Sequence, residues 1–317
     1  MFSTTNGAAT FAEVVDGTAD NDQNLTLNAG TGVVTFAKAL GAVKKLGDVV
    51  ANSTGATQFQ GAVLAKSLTT NAGGSTELSA DVTTTAAQSF GDALSLKNNI
   101  ILSGTDITLA QTVNSDGTAR TLQVTGSGVT TFGGIVGGTA ELASLTVDGG
   151  GTTLLNAGAV TTAGAQSYTD AVTLGADTAL VTTNSNVSFT STLNSSEALA
   201  TAGTPAPATL SITAGTGDVT FGNIVGGATY TATNGALGAV TLVSATNVGI
   251  NAAFTAASLT QQAGSGTTTI GGATTLTGAL GFAGGNLVIN AAVGAGGAVS
   301  FTGSALTVNA AVTAGGA

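Results

Sequence analysis

Carboxylates are the only side chains in this sequence whose types and spacing suggest chemistry. The run EVVDGTADNDQN holds Glu13, Asp16, Asp20 and Asp22 on a glycine-containing stretch. Because Ca²⁺ prefers oxygen ligands on flexible loops, Asp16, Asp20 and Asp22 are candidate calcium ligands. The run lacks both the helix–loop–helix calcium pattern and the tandem GGxGxDxUx repeat of calcium β-rolls. The sequence therefore favours a solvated acidic end or cap over a calcium site.

Other catalytic chemistry has little support. The chain has no His and no Cys, which excludes catalytic triads, thiolate nucleophiles and His-ligated metals. A glycosidase needs two carboxylates about 5–10 Å apart in a cleft, and the 16 acidic residues form no recurring cluster beyond the N-terminal run. The Gly-rich pieces GSGVTTFGG and GTGDVTFGN lack the Gly-Lys-Ser/Thr of a phosphate loop. The sequence predicts no enzyme and no cofactor other than the candidate calcium.

The charge distribution narrows the choice of partners. The formal net charge is −10, and all six basic residues lie at or before Arg120. Nucleic-acid binding is disfavoured, because phosphate neutralisation needs clustered Lys and Arg. No run of 18 apolar residues is present, so no helical membrane span is predicted. Beyond Asp218 the sequence has no charged residue, which leaves little electrostatic defence against self-association.

One stretch recurs and reveals the architecture. LQVTGSGVTTF (122–132) has close versions in LTLNAGTGVVTF (25–36), LSITAGTGDVTF (210–221) and LVINAAVGAGGAVSF (287–301). Each copy has an alternating run, a Gly-containing corner and a second alternating run, which predicts strand, turn and strand. The repeat markers are the residues that end these copies, Phe36, Phe132, Phe221 and Phe301, together with Phe90 and Tyr168 of the matching segments QSFGDALSL and QSYTDAVTL.

The spacing of the copies predicts a solenoid. The intervals between their starts are 97, 88 and 77 residues, and they fit units of about 19–20 residues if the stretch around Pro205 and Pro207 is an inserted loop. We therefore expect an all-β, parallel β-solenoid (β-helix) of about 16 coils. Aromatic residues make up 4% of the chain and charged residues 7%, as a narrow core of small and β-branched side chains requires.

The predicted organisation has two parts. Residues 1–24 are an acidic N-terminal cap or linker, and residues 25–317 are one continuous solenoid. Within it, super-repeats start near 25, 122, 210 and 287, and a Pro-containing loop occupies 194–209.

The segments LxVxAGxGxVTF, LTVxxxGTTxLNAGAVTT and GAQSYTDAVTLGADT resemble the β-strand repeats of large bacterial surface proteins of the filamentous haemagglutinin and autotransporter-passenger type. This resemblance implies a right-handed solenoid located at the cell surface or secreted. It implies a stalk, fibre or adhesin as the function. The secretion domain and membrane-anchoring barrel of those proteins have no counterpart in the sequence.

The sequence thus predicts a non-enzymatic extracellular structural protein that forms a stiff fibre, stalk or surface-layer segment. Its expected partner is itself, end to end or laterally, or within a longer filament. Two alternatives remain: an adhesin that binds host or matrix glycans or other cell-surface components, and, less favoured, a polysaccharide-active β-helix enzyme. A glycan groove lined by Tyr168, Phe90 and acidic residues would support the adhesin.

Overall fold

The computed structural model describes residues 1–196, 207–227 and 235–315. In these ranges the regular structure is β-strand, without any α-helix and hence without a helix that could span a membrane. The chain divides into two compact units, Met1–Thr153 (unit 1) and Leu154–Ala317 (unit 2). In each unit the strands pair in parallel, coil upon coil. The prediction of an all-β parallel β-solenoid is confirmed.

Unit 1 is built from short strands in chain order. They are β1 (Phe2–Ser3), β2 (Ala9–Phe11), β3 (Leu25–Gly30), β4 (Val34–Phe36), β5 (Leu46–Ser53), β6 (Ala56–Phe59), β7 (Val63–Thr70), β8 (Ser75–Leu78), β9 (Val82–Thr84), β10 (Gln88–Phe90), β11 (Ala93–Leu96), β12 (Ile100–Gly104), β13 (Ile107–Leu109), β14 (Val113–Ser115), β15 (Thr121–Gly126), β16 (Val129–Phe132) and β17 (Ser144–Asp148). The next strand, β18 (Thr152–Leu155), includes the boundary between the units.

Unit 2 has the same construction. Its strands are β19 (Ala159–Thr162), β20 (Gln166–Tyr168), β21 (Ala171–Leu174), β22 (Thr178–Thr182), β23 (Val187–Phe189), β24 (Leu193–Ser195), β25 (Leu210–Thr213), β26 (Val219–Phe221), β27 (Leu237–Ser244), β28 (Val248–Ile250), β29 (Phe254–Gln261), β30 (Thr267–Ile270), β31 (Thr274–Leu276), β32 (Leu280–Ile289), β33 (Val293–Ala295), β34 (Val299–Val308) and β35 (Val312–Ala314).

A regular coil contributes three strands to three ladders. In unit 1, β9, β10 and β11 follow one another around one coil. Each pairs in parallel with a strand of the preceding coil and one of the following coil: β9 with β7 and β12, β10 with β7 and β13, and β11 with β8 and β14. We call β10 and its equivalents, which lie second in the coil, the middle strands.

The strand register gives the coil length. Along the middle strands of unit 1 the residues that pair in succession are Val49, Leu68, Gln88 and Ile107. In the same unit the Ser67 hydroxyl donates to the carboxylate of Asp48, its ladder partner 19 residues earlier. In unit 2 the N–H of Thr267 donates to the side chain of Asn247, 20 residues earlier. The period predicted from the sequence is therefore the length of a regular coil.

Several coils are longer than this period. The N–H of Asp48 donates to the Asn24 side chain, 24 residues earlier on the preceding coil. In unit 2 the corresponding bond from Thr209 to Asp177 spans 32 residues. Such coils contain more residues than a regular coil, and the chain makes about 14 turns instead of the predicted 16. In unit 1 a loop of this kind follows Leu40, where Gly41 has a φ of +72°.

Alternation of side chains explains why these residues form strands. The three-residue strand β10 has its first and third side chains buried and its middle side chain half-buried on the outside. Since successive side chains in a strand point to opposite faces, each short strand places two residues in the core. Small β-branched residues on the outside suit a pleated, half-buried surface.

Aromatic rings stack on one another in both units. In unit 1, the Phe11 and Phe36 centroids lie 5.0 Å apart and those of Phe36 and Phe59 5.2 Å apart, with nearly parallel rings. In unit 2, Phe189 lies between Tyr168, at 5.0 Å, and Phe221, at 5.8 Å. Parallel register places identical side chains above one another, so a ring every coil produces a continuous stack.

The repeated motif does not mark one position around the coil. In unit 1, Phe36 belongs to the column of Phe11 and Phe59, whereas Phe132 pairs with Leu109, which pairs with Phe90. The two copies thus lie on different sides of the unit. The reason is that strand, glycine corner and strand describes any corner of a three-stranded coil.

Unit 2 shows the same displacement of motif copies. Phe221 pairs with Phe189 and Ile250, whereas Phe301 pairs with Phe282. The motif therefore predicted the coiled structure, but it did not predict which side chains stack on one another in successive coils.

Residues 1–24, the predicted cap or linker, contribute strands that pair with the strands after residue 24 in unit 1. Strand β1 pairs with β3, strand β2 pairs with β4, and Val15 forms a bridge with Leu40. The Pro-containing loop predicted at 194–209 lies mostly outside the described residues. Its first two residues, Asn194 and Ser195, belong to β24, and β25 begins at Leu210.

Candidate functional surface

Carboxylates of the acidic run at 16–22 accept hydrogen bonds from the backbone of the next coil. The Asp16 Oδ1 accepts hydrogen bonds from the backbone N–H of Val43, at 2.9 Å, and of Lys44, at 3.4 Å. The Asp20 Oδ1 accepts the N–H of Lys45 at 3.0 Å. The Lys44 ammonium lies 3.7 Å from the other Asp20 oxygen. Two of the three candidate calcium ligands therefore bind backbone of the neighbouring loop.

The third candidate ligand, Asp22, accepts a hydrogen bond from the Gln23 side chain at 2.8 Å. Among the residues that the structure describes, no three or more Asp or Glu side chains converge as a metal site would require. The geometry assigns Asp16 and Asp20 to joining coils, and calcium binding stays a prediction of the sequence.

Asn and Asp side chains repeat this backbone contact at many corners of both units. In each case the side-chain oxygen accepts the N–H of a residue one coil further along. The pairs include Asn6–Thr31, Asn24–Asp48, Asp81–Ile101, Asn99–Thr121, Asp106–Val129, Asn186–Asp218, Asp218–Asn247 and Asn247–Thr267. In each pair the N–H donates to a side-chain oxygen of the preceding coil in place of a backbone carbonyl, which gives this backbone donor the acceptor that it needs. These residues therefore fix the register between coils.

Most basic residues of unit 1 have an acidic partner close by. The ion pairs are Lys44–Asp20 at 3.7 Å, Lys66–Asp48 at 3.6 Å, Lys97–Glu77 at 3.2 Å and Arg120–Asp116 at 3.0 Å. The hydrogen bond from Arg120 holds the pKa of the Asp116 carboxyl below its ordinary value. Surface pairs of this kind add little to stability, because solvent screens them. Their importance for function is that they neutralise the basic side chains that an anionic partner would need.

The two aromatic residues of the predicted glycan groove lie in the core. Phe90 and Tyr168 are both 0% exposed. Burial raises the pKa of the Tyr168 phenol, so its hydroxyl keeps its proton. Neither ring can form a platform for a sugar, and the groove that would have supported a glycan-binding adhesin is not formed by these residues. The markers Phe36, Phe132 and Phe221 are buried as well.

A buried glutamine precedes each of these two rings. The Gln166 amide nitrogen lies 3.1 Å from the Val160 carbonyl, 3.3 Å from the Thr162 hydroxyl and 2.9 Å from the Val181 carbonyl. The hydroxyl of Tyr168 donates to the Gln166 Oε1 at 3.2 Å. Both ends of this buried amide are therefore hydrogen-bonded.

Unit 1 holds the same arrangement around Gln88. Its amide nitrogen lies 3.2 Å from the Val82 carbonyl, 3.3 Å from the Thr84 hydroxyl and 2.8 Å from the Ser103 carbonyl. The ring two residues on is Phe90, which has no hydroxyl. Among the described residues, the Gln88 Oε1 is buried without a hydrogen-bond partner.

This difference predicts a stabilising substitution. We expect Phe90→Tyr to raise the free energy of unfolding by about 1 kcal/mol, because the new hydroxyl would donate to the unpaired Gln88 Oε1. Tyr168→Phe should lower it by a similar amount, and urea unfolding of the two variants measures both effects. A lower stability for both variants would contradict the equivalence of the two glutamine sites.

Outward side chains form an uncharged column in each unit. In unit 1 the column runs along the middle strands, and its paired residues are Thr26, Val50, Thr69, Ser89, Thr108 and Thr131. In unit 2 a similar column runs along β20, β23, β26, β28, β30, β32 and β34, and its paired residues are Ser167, Ser188, Thr220, Gly249, Thr269, Val288 and Thr307. Small hydroxyl and methyl groups therefore repeat once per coil on this face, which we call the hydroxyl face.

Sequence reasoning did not identify the corner Asn and Asp residues as a structural class. Their signal was present, since Asn24, Asn99 and Asn186 each stand directly before an alternating run.

Comparison with known proteins yields no relative. No protein-family model matches the chain, and searches of curated proteins and of solved structures find no match.

Proposed function

We propose that this chain is a non-enzymatic extracellular structural protein, forming a stiff segment of a fibre, stalk or surface layer and associating with further copies of itself. The observation that carries the proposal is the uncharged hydroxyl face, repeated coil after coil on parallel ladders. Flat, regular and neutral strand surfaces pack against one another readily. The function would then depend on the length of the assembly and on the contacts between its copies.

The stiffness rests on the ladders. Internal strands pair with the coil before and the coil after, and Asn or Asp oxygens bind the N–H groups at corners. Bending a coil against its neighbour would break several of these bonds together, which is why cross-β stacks resist unfolding.

The charge pattern supports self-association through unit 2. Its described residues from 219 onward carry no charged side chain, and Asp177 and Asp218 use their carboxylates to bind backbone at corners. Net charge normally keeps proteins apart in solution. The described part of unit 2 from residue 219 onward lacks this repulsion.

Electron microscopy and sedimentation of the purified protein test the proposal. The wild-type protein should form filaments or sheets as its concentration rises. Thr269→Lys, which puts a charge on the hydroxyl face, should raise the concentration needed for assembly at least about tenfold, because like charges brought together in a contact cost several kcal/mol. Thr216→Lys adds the same charge at an exposed corner and should assemble like the wild type. A wild-type protein that stays monomeric at every concentration would overturn self-association.

A further inference from the structure

Asp92 is a carboxylate in the interior of unit 1. It lies between β10 and β11 and is 1% exposed. Its Oδ1 accepts the backbone N–H of Gly74 at 2.7 Å, and its Oδ2 lies 3.3 Å from the Thr76 hydroxyl. Ionising a carboxyl group that is removed from solvent and has so few hydrogen-bond donors is costly.

The charged side chains on the strands around Asp92 pair with other residues. On β7, Lys66 pairs with Asp48, and on β8, Glu77 pairs with Lys97, which follows β11. These side chains are partly exposed on the outside of the coil. No ion pair of the described residues joins Asp92 to a cation.

Two hydroxyls next to Asp92 can accommodate an added proton. Thr76 and Thr70 are buried, and their Oγ1 atoms lie 3.3 Å apart. A protonated Asp92 can donate to Thr76, which can donate to Thr70 in turn, so the neutral carboxyl group keeps its hydrogen bonds. The ionised form must instead bear the cost of burial.

We propose that Asp92 makes unit 1 proton-sensitive: protonation of this buried carboxyl group tightens the coil that contains Gly74 and β8, and ionisation loosens it. Burial raises the pKa of Asp92, against the opposing effect of the hydrogen bonds from Gly74 and Thr76. Because the folded state binds the proton more tightly than the unfolded chain, this stabilisation is complete below the unfolded pKa of about 3.9. It is lost as the pH rises through the folded pKa.

Asp92→Asn tests this assignment. The amide keeps an oxygen for Gly74 and offers an N–H to Thr76, as the protonated acid does. The urea midpoints of variant and wild type should coincide at pH 3, and the variant should be higher at pH 7. In the wild-type NMR spectrum the amide proton of Gly74 should titrate with a midpoint above that of the same carboxyl group in the unfolded chain, and in the variant this titration should vanish.

Asp81→Asn is the matched control, since Asp81 is exposed and also accepts a backbone N–H, that of Ile101 at 2.8 Å. It should follow the wild-type pH profile. A constant difference between Asp92→Asn and wild type from pH 3 to 7 would overturn the proposal. So would a Gly74 amide that fails to titrate in the wild-type protein, a readout that does not depend on the variant folding.

Discussion

Replacing Phe189 by alanine is expected to lower the free energy of unfolding by about 3–5 kcal/mol. The ring is 1% exposed and lies between the rings of Tyr168 and Phe221, at centroid distances of 5.0 and 5.8 Å. Alanine removes the buried apolar area and both ring contacts, and it leaves a cavity that rigid ladders on either side cannot close. Urea unfolding followed by circular dichroism measures the loss.

Ser188 provides the control for this substitution. It precedes Phe189 on β23 and faces outward in the hydroxyl face. Ser188→Ala should change the free energy of unfolding by no more than about 0.5 kcal/mol. If Phe189→Ala cost less than about 1 kcal/mol, the aromatic stack would not be part of a close-packed core.

The fold was predictable because buried and outward side chains alternate within each short strand. A segment such as VTTTAAQSFGDALSL gives each strand of a coil as a short run in which alternate side chains are buried, bounded by small or polar residues. Three such runs per coil and parallel pairing then follow from the repeat period. The length of the period could be read from sequence because the regular coils keep it nearly constant.

The repeated motif did not predict which side chains stack on one another in successive coils. Phe36 and Phe132 end nearly identical sequences, yet they occupy different columns of unit 1. A side chain at the end of any strand of the coil meets the same narrow core, so sequence similarity reports burial and not position. Only the register between coils, set by loop lengths, decides which ring lies over which.

The acidic run shows why the candidate site was harder to predict than the fold. Asp16 and Asp20 have the residue type and spacing of calcium ligands, but their oxygens bind the N–H groups of 43–45, which lie on the next coil. Local sequence cannot distinguish the two uses, because a carboxylate accepts from a backbone donor as readily as it binds a cation. Whether these carboxylates accept backbone hydrogen bonds or bind a cation depends on where the next coil places its N–H groups.

Replacing Gln166 by glutamate is expected to lower the free energy of unfolding by about 3–5 kcal/mol at pH 7, because it buries a charge without a partner. The Gln166 nitrogen is surrounded by the Val160 carbonyl, the Thr162 hydroxyl and the Val181 carbonyl. A carboxylate oxygen in its place would face two carbonyl oxygens and could accept a hydrogen bond only from a hydroxyl.

The loss should depend on pH with a definite sign. In the folded state, burial favours the protonated glutamic acid, which can still donate one hydrogen bond to these acceptors, so its pKa is raised above the ordinary value of about 4.3. Stability is then closest to wild type below that value and falls as the pH rises through the folded pKa. Ser167→Glu places the same group one residue away, on the hydroxyl face, and should show neither the large loss nor this pH dependence. Urea unfolding of both variants from pH 3 to 8 measures the difference, and equal losses at every pH would show that the glutamine site is accessible to water.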